Sequence, residues 1–183
     1  TIAGVTSTIT PIAPRRALDA LADAIATAKG DDPLAPVVVA VPTNTCGVMA
    51  RRALGRARGL VGVDMVTLNR LAELIAGPTL AAAGRSPVST PVLELAVAQV
   101  LRRRPGAYRP VADHPSTITA LRRLHEELRL AGPAAADALV QHSRRGREAV
   151  TVSNAVTELL AGHWYDEADL FSHATASVAA GGT

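Results

Sequence analysis

The chain has 183 residues, 48% of them hydrophobic, enough for one domain or two small lobes with a real core. Only 2% are aromatic, so that core has to be built of Leu, Val, Ile and Ala, and no apolar run approaches the roughly 20 residues that span a bilayer. The formal charge is +3, the sequence pI is about 9.7, and the single Cys46 excludes an internal disulfide framework. With no secretory leader pattern at the N-terminus, the setting expected is a reducing cytoplasm, with no membrane partner.

Residues 2–12 alternate weakly and are expected to form a first strand, with Pro14 opening a helix. Leu18, Leu21, Ala22, Ile25 and Ala28 keep helical spacing up to Gly30. Leu34 to Val41 reads as a buried strand, and a helix follows from about Thr45 to Arg58. A second buried strand runs from about Val61 to Val66, and its helix is expected to stop at Gly77-Pro78. Two strand–helix units in succession imply a parallel sheet.

Residues 78–90, rich in Ala, Gly, Pro and Ser, read as a boundary, and everything beyond reads as helical. Thr90 caps a helix opened by Pro91, with Leu93, Ala96, Val97, Val100 and Leu101 on one face. Pro105 to Pro115 reads as a loop. Ile118, Leu121, Leu124 and Leu128 mark the next helix, ending at Gly132, and Pro133 starts a short one. Val152, Val156, Leu159 and Leu160 mark another, and Asp166 caps a last helix with Leu170, Ala174 and Val178 inward. The expected class is α/β: an incomplete parallel sheet in residues 1–78, a helical subdomain in 90–180, and a truncated end or linker in 181–183. The start at Thr1 and the Ala-Gly-rich end suggest a piece of a longer protein whose further strands complete the sheet.

Ligands of parallel α/β sheets bind where strands end and helices begin. Here the strand ends are Val41-Pro42-Thr43-Asn44 and Val66-Thr67-Leu68-Asn69-Arg70, so Thr43, Asn44, Thr67 and Asn69 are expected on one edge. From Asn44 to Gly59 there are four arginines, Arg51 and Arg52 among them, and no acid. Such a basic stretch suits a phosphate backbone. The plainer reading of the Thr and Asn residues is local helix capping, and the two roles are compatible. Further arginines gather at 102–104 with Arg109, and at 144, 145 and 147; there, solvated helix ends are the plainer reading.

These two motifs resemble the first RecA-like lobe of superfamily 1 helicases of the UvrD and RecB type. In that family a strand ending in a Thr/Asn turn before an Arg-containing helix touches single-stranded DNA, and a later strand with a Thr-x-x-Arg-Leu-like end does so again. The Pro42 variant is most similar to AddB-like exonuclease subunits, whose helicase lobe is often degenerate. The likeness covers residues 15–77 well and the helical remainder loosely. It implies a RecA-like fold and a DNA-contacting set of Thr43, Asn44, Arg51, Arg52, Thr67, Asn69 and Arg70. It also implies a parent nuclease of the PD-(D/E)XK type acting in double-strand break repair. The partners implied are single-stranded or duplex-end DNA, with a helicase or nuclease subunit or the missing part of the parent chain.

One departure decides the mechanism expected. A motor needs a Gly-rich phosphate loop ending in Gly-Lys-Ser/Thr. The matching stretch, residues 6–16, has no glycine and no lysine, and the chain's one lysine is Lys29. No ATP hydrolysis, cofactor or catalytic residue is therefore expected. Asp166-Glu167-Ala168-Asp169 spells a helicase magnesium box, but with a helix end and loop expected before it, it reads as a helix cap. The five histidines show no ligand spacing and read as surface residues without a metal, and Cys46 as a buried or half-buried inert thiol. Two other functions stay open: a scaffold that docks a helicase subunit without touching DNA, and a nucleotide-binding enzyme with an unrecognised phosphate loop.

Overall fold

A computed structural model describes residues 11–13 and 16–181, without the side chain of Arg58. The first strand expected over residues 2–12 and the helix start at Pro14 lie outside the described residues, Pro11 and Ile12 excepted, which are in no strand. Two compact units divide the chain between Ile75 and Ala76; the segment from Ser177 onward groups with the first.

The first unit opens with α1 (Ala17–Lys29), which stops at Gly30 in a positive-φ conformation that suits glycine. β1 (Val37–Val41), α2 (Asn44–Arg58) and β2 (Val63–Thr67) follow, and then α3 (Leu68–Ala82), whose residues from Ala76 onward belong to the second unit. The strands pair in parallel, Val37 opposite Val63 through Val41 opposite Thr67. A βαβ unit of β-branched strands around an amphipathic helix closes this way by burying its inner face. Val37, Val39, Val63 and Met65 pack with Leu21, Ala22, Ile25, Leu54 and Leu60.

Gly47 lets α2 lie close to the sheet, since a Cβ there would sit 3.3 Å from Val41 Cγ2 and 3.4 Å from Met65 Cβ. The other face of β1 is open: Val38 is 55% exposed and Ala40 is exposed too. That corrects the reading of β1 as buried on both sides. A continuous Val run requires two covered faces, and α1 and α2 cover one. The sheet is two-stranded, and a full RecA-like sheet is not present among the described residues.

Lys29 ties this unit together. Its ammonium donates to the carbonyls of Pro33 (2.6 Å), Ala35 (2.9 Å) and Val61 (2.8 Å), joining the approaches to both strands. All three N–H donors of the chain's one lysine are thereby engaged.

α3 does not stop at Gly77-Pro78 but runs through Pro78 to Ala82. The proline costs an intrahelical hydrogen bond, about 3 kcal/mol in a helix interior. Burial of Leu80 beyond it, with Ala76 buried just before it, offsets that cost.

In the second unit β3 (Ser86–Pro87) leads to α4 (Thr90–Arg103), whose N-cap position is Ser89, one residue before the expected Thr90. The expected loop holds a 3₁₀ turn, Gly106–Val111. Then come α5 (Pro115–Ala131), α6 (Pro133–His142), α7 (Arg144–Leu160), β4 (Trp164–Tyr165) and α8 (Glu167–Ala179). The five apolar residues expected on one face of α4 are all buried, packed with Leu121 of α5 and with Ala149, Val152 and Val156 of α7. Val178, expected inward, is exposed, while Leu170 and Ala174 are buried.

α6 and α7 touch at Gly146, where a Cβ would collide with the Leu139 carbonyl. Gly146→Ala should therefore lower stability by about 1–3 kcal/mol, the cost of overpacking. Gly55→Ala, on the open surface of α2 with no atom within 4 Å of its new Cβ, should raise it by about 0.5–1 kcal/mol through helix propensity. Urea melts of the two variants check the opposite signs.

Candidate nucleic-acid interface

Because β1 and β2 are parallel and in register, their carboxyl ends meet at one edge, and α2 and α3 begin there. Thr43 is the N-cap of α2; its backbone is extended, and its hydroxyl oxygen accepts the Cys46 N–H at 3.2 Å. Thr67 ends β2 and plays the same part for α3, accepting the Arg70 N–H at 3.2 Å. A threonine hydroxyl that accepts from an amide still has its own proton to donate. Capping thus leaves each Thr hydroxyl a proton to donate. Asn44 and Asn69 are the first residue of α2 and the second of α3, both exposed. Neither helix has an acid in its first turn, so the partial positive charge of their unpaired N–H groups is not cancelled locally.

The arginines divide. Arg70 lies in the first turn of α3, on the shared edge, with an exposed pair to Glu73 at 2.9 Å; surface pairs of this kind are worth at most about 1 kcal/mol. Arg51 and Arg52 lie two turns down α2, about 10 Å from its start. Arg51 is held at the opposite end of β2, donating to the Val63 carbonyl at 2.8 Å with Asp64 at 3.8 Å. Arg52 is exposed and has no ion pair among the described residues. The edge therefore gathers Thr43, Asn44, Thr67, Asn69 and Arg70, and leaves Arg51 outside.

Cys46, in the first turn of α2, is exposed, which corrects the buried or half-buried thiol expected; the inward position of that turn belongs to Gly47 and not to its neighbour.

A second polar centre lies in the second unit. Asp166 caps α8, accepting the Asp169 N–H at 2.8 Å. The residues before it are not a loop but β4, which pairs in parallel with β3. Arg129 binds Asp166 in bidentate fashion, at 2.6 and 3.2 Å, and also donates to Asp169. Arg85 donates to Asp169 at 2.6 Å and to the Trp164 carbonyl at 2.7 Å. The magnesium-box spelling is thus tied up by two guanidiniums. Among the described residues no group of three His, Cys, Asp or Glu side chains is placed to hold a metal ion.

His125 lies beside this network and is 3% exposed, which corrects its reading as a surface residue; the other four histidines are exposed. It falls four residues after Leu121, on the same inward stripe of α5, and its Nδ1 meets Ser153 Oγ at 2.9 Å. The apolar periodicity extended through position 125 was the available signal.

Burial pushes the His125 pKa down against the pull of Asp166. Burial alone would raise Asp166, but the Arg129 hydrogen bonds and charge outweigh it and hold the carboxyl below the usual range. No protein-family model matches the chain, and no curated protein matches it either.

Two pH windows follow from linkage. A histidine kept neutral by the fold contributes full stability above its ordinary value near 6.5 and progressively less as pH falls below it. Asp166 contributes above about 3.8 and is lost on further acidification. His125→Gln should flatten the first decline in stability measured by urea melts between about pH 7 and 5. Arg129→Met, which strands the half-buried Asp166 carboxylate and leaves Asp169 to Arg85 alone, should cost about 2–4 kcal/mol at neutral pH, read by the same melts.

Proposed function

We propose that this chain is a catalytically silent, helicase-like module that holds single-stranded DNA on the edge where β1 and β2 end, for a nuclease or helicase elsewhere in its parent protein or complex. The observation behind it is the in-register parallel pairing that sets Thr43 and Thr67, each capping a helix with no acid in its first turn, on one edge. An exposed and a half-buried threonine hydroxyl, two asparagine amides, unpaired helix N–H groups and Arg70 suit successive phosphates of a strand. Arg52 supplies further positive charge along α2. The resemblance of the two strand–turn–helix motifs to UvrD- and RecB-type lobes gives the reading its substrate class. Engagement of Lys29 with three backbone carbonyls supports the silent ATPase, since no other lysine exists to reach a phosphate.

A second reading is favoured by a different observation. Leu34, Val38, Val48, Met49, Val61 and Leu68 of the first unit are all exposed, Met49 to 66%. An apolar surface of this kind suits docking to a protein subunit. On that reading the chain is a scaffold without DNA contact.

Fluorescence anisotropy of a labelled single-stranded oligonucleotide at several salt concentrations separates the two. Arg52→Ala/Arg70→Ala leaves both threonine caps in place. On the DNA reading it should weaken binding about tenfold and reduce the slope of log K against log salt by about 1.4, the effect of two lost phosphate contacts on a single strand. Equal affinity and slope in the two proteins would contradict it, and absence of binding by folded protein would favour the scaffold.

A further inference from the structure

Seven arginines of the second unit have no part in the strand-end edge: those at 102–104, Arg109, and those at 144, 145 and 147. The first three end α4, Arg109 lies in the 3₁₀ turn, and the last three open α7.

The fold brings these groups to one end of the unit. The 3₁₀ turn packs against both α4 and α7. Gly106 lies on Glu148, whose carboxylate a Cβ there would meet. Tyr108 lies near the same turn of α7: burial first, and then Glu148, push its hydroxyl pKa up, while Arg145 pulls it down. Arg104 and Arg109 flank these two residues in the chain. All seven arginines are exposed, and none has a side-chain hydrogen bond or an ion pair among the described residues. The acids beside them are Asp113, Glu148 and Glu158, so this end is more positive than the chain as a whole, whose net charge is +3.

Solvated helix ends explain only half of this. The cations that end α4 complement its dipole, but the three that open α7 oppose it. Nothing local offsets them, since the first turn of α7 holds no acid. Ser143 already caps that helix, accepting the Gly146 N–H at 2.9 Å.

The surroundings select the partner. Protein interfaces are centred on apolar and aromatic anchors, with charge depleted at the core. Here Val111 and Leu159 are the large apolar side chains exposed, and guanidiniums outnumber them. Proteins that grip an unpaired strand stack its bases on aromatic rings. Tyr108, the aromatic residue at this end, is half-buried against the core. A duplex needs neither feature, because its bases are stacked inside and its two backbones present one charge per roughly 1.7 Å of axis. We propose that this arginine surface binds the phosphate backbone of duplex nucleic acid without reading its sequence. The inference stands apart from the strand-end interface, because every residue it uses lies within the second unit.

The test is fluorescence anisotropy of a labelled blunt duplex, in two unrelated sequences, against the full chain at several salt concentrations. Two variants probe the two sides of the surface, Arg102→Ala/Arg104→Ala and Arg144→Ala/Arg147→Ala. The second removes charges that oppose the dipole of α7, so it should unfold at no lower urea concentration than the parent. Each variant should bind about tenfold more weakly and lower the slope of log K against log salt by about 1.8, the effect of two lost phosphate contacts on a duplex. Arg123→Ala, an exposed arginine of α5 without an ion pair among the described residues, controls for net charge and should leave affinity within about twofold. Polyglutamate at equal charge concentration should leave the duplex bound. No binding of either duplex, a preference of tenfold or more between the two sequences, or unchanged affinity in either folded variant would overturn the proposal. So would an equal loss in Arg123→Ala, or displacement by polyglutamate, which would assign the surface to an acidic protein segment.

Discussion

The register of two parallel strands is the constraint on which the functional reading depends. With Val41 opposite Thr67, the chain has to leave both strands at the same end and begin two helices there. Each helix requires a cap, and a threonine supplies it in each case. Slip the register and the two caps separate; reverse one strand and they fall at opposite ends. The edge is therefore a product of backbone pairing and helix-end chemistry together, and both are enforced by burial of Val37, Val39, Val63 and Met65 beneath α1 and α2. Lys29 reinforces the opposite end of the pair, where its three hydrogen bonds join the approaches to β1 and β2.

The second unit rests on a different arrangement. Its apolar core joins α4, α5 and α7, while β3, β4 and the start of α8 are gathered by Arg85 and Arg129 around two aspartates. A half-buried network of this kind costs desolvation and adds little net stability, but the loss of one member is costly. Its effect is to fix β4 against β3, with His125 kept neutral by burial beside it.

The helices of the second unit were the most legible part of the chain. Proline at the start of α5 and α6, Gly132 between them and apolar residues at helical spacing on α4 and α5 leave few alternatives. The strands β1 and β2 were legible in place but not in burial: Val37 to Val41 reads as enclosed because its residues are all apolar, and only packing shows that Val38 and Ala40 face outward. α3 outran its expected end because local propensity at Gly77-Pro78 yields to the burial of Ala76 and Leu80. Positions 43, 44, 67 and 69 could be placed on a common edge because consecutive strands of a βαβ unit pair or neighbour more often than not. The turn of Arg51 toward Val63 and the union of Arg85 with Asp169 across 84 positions are long-range facts with no local signal.

The most direct test of the account is residue-resolved. Amide chemical shifts of the isotope-labelled protein would be followed as a short single-stranded oligonucleotide is added. The account predicts perturbation concentrated at residues 43–47 and 67–71, the opening turns of α2 and α3. Perturbation confined to the arginines at 102–104 or 144–147, with the strand ends silent, would contradict it.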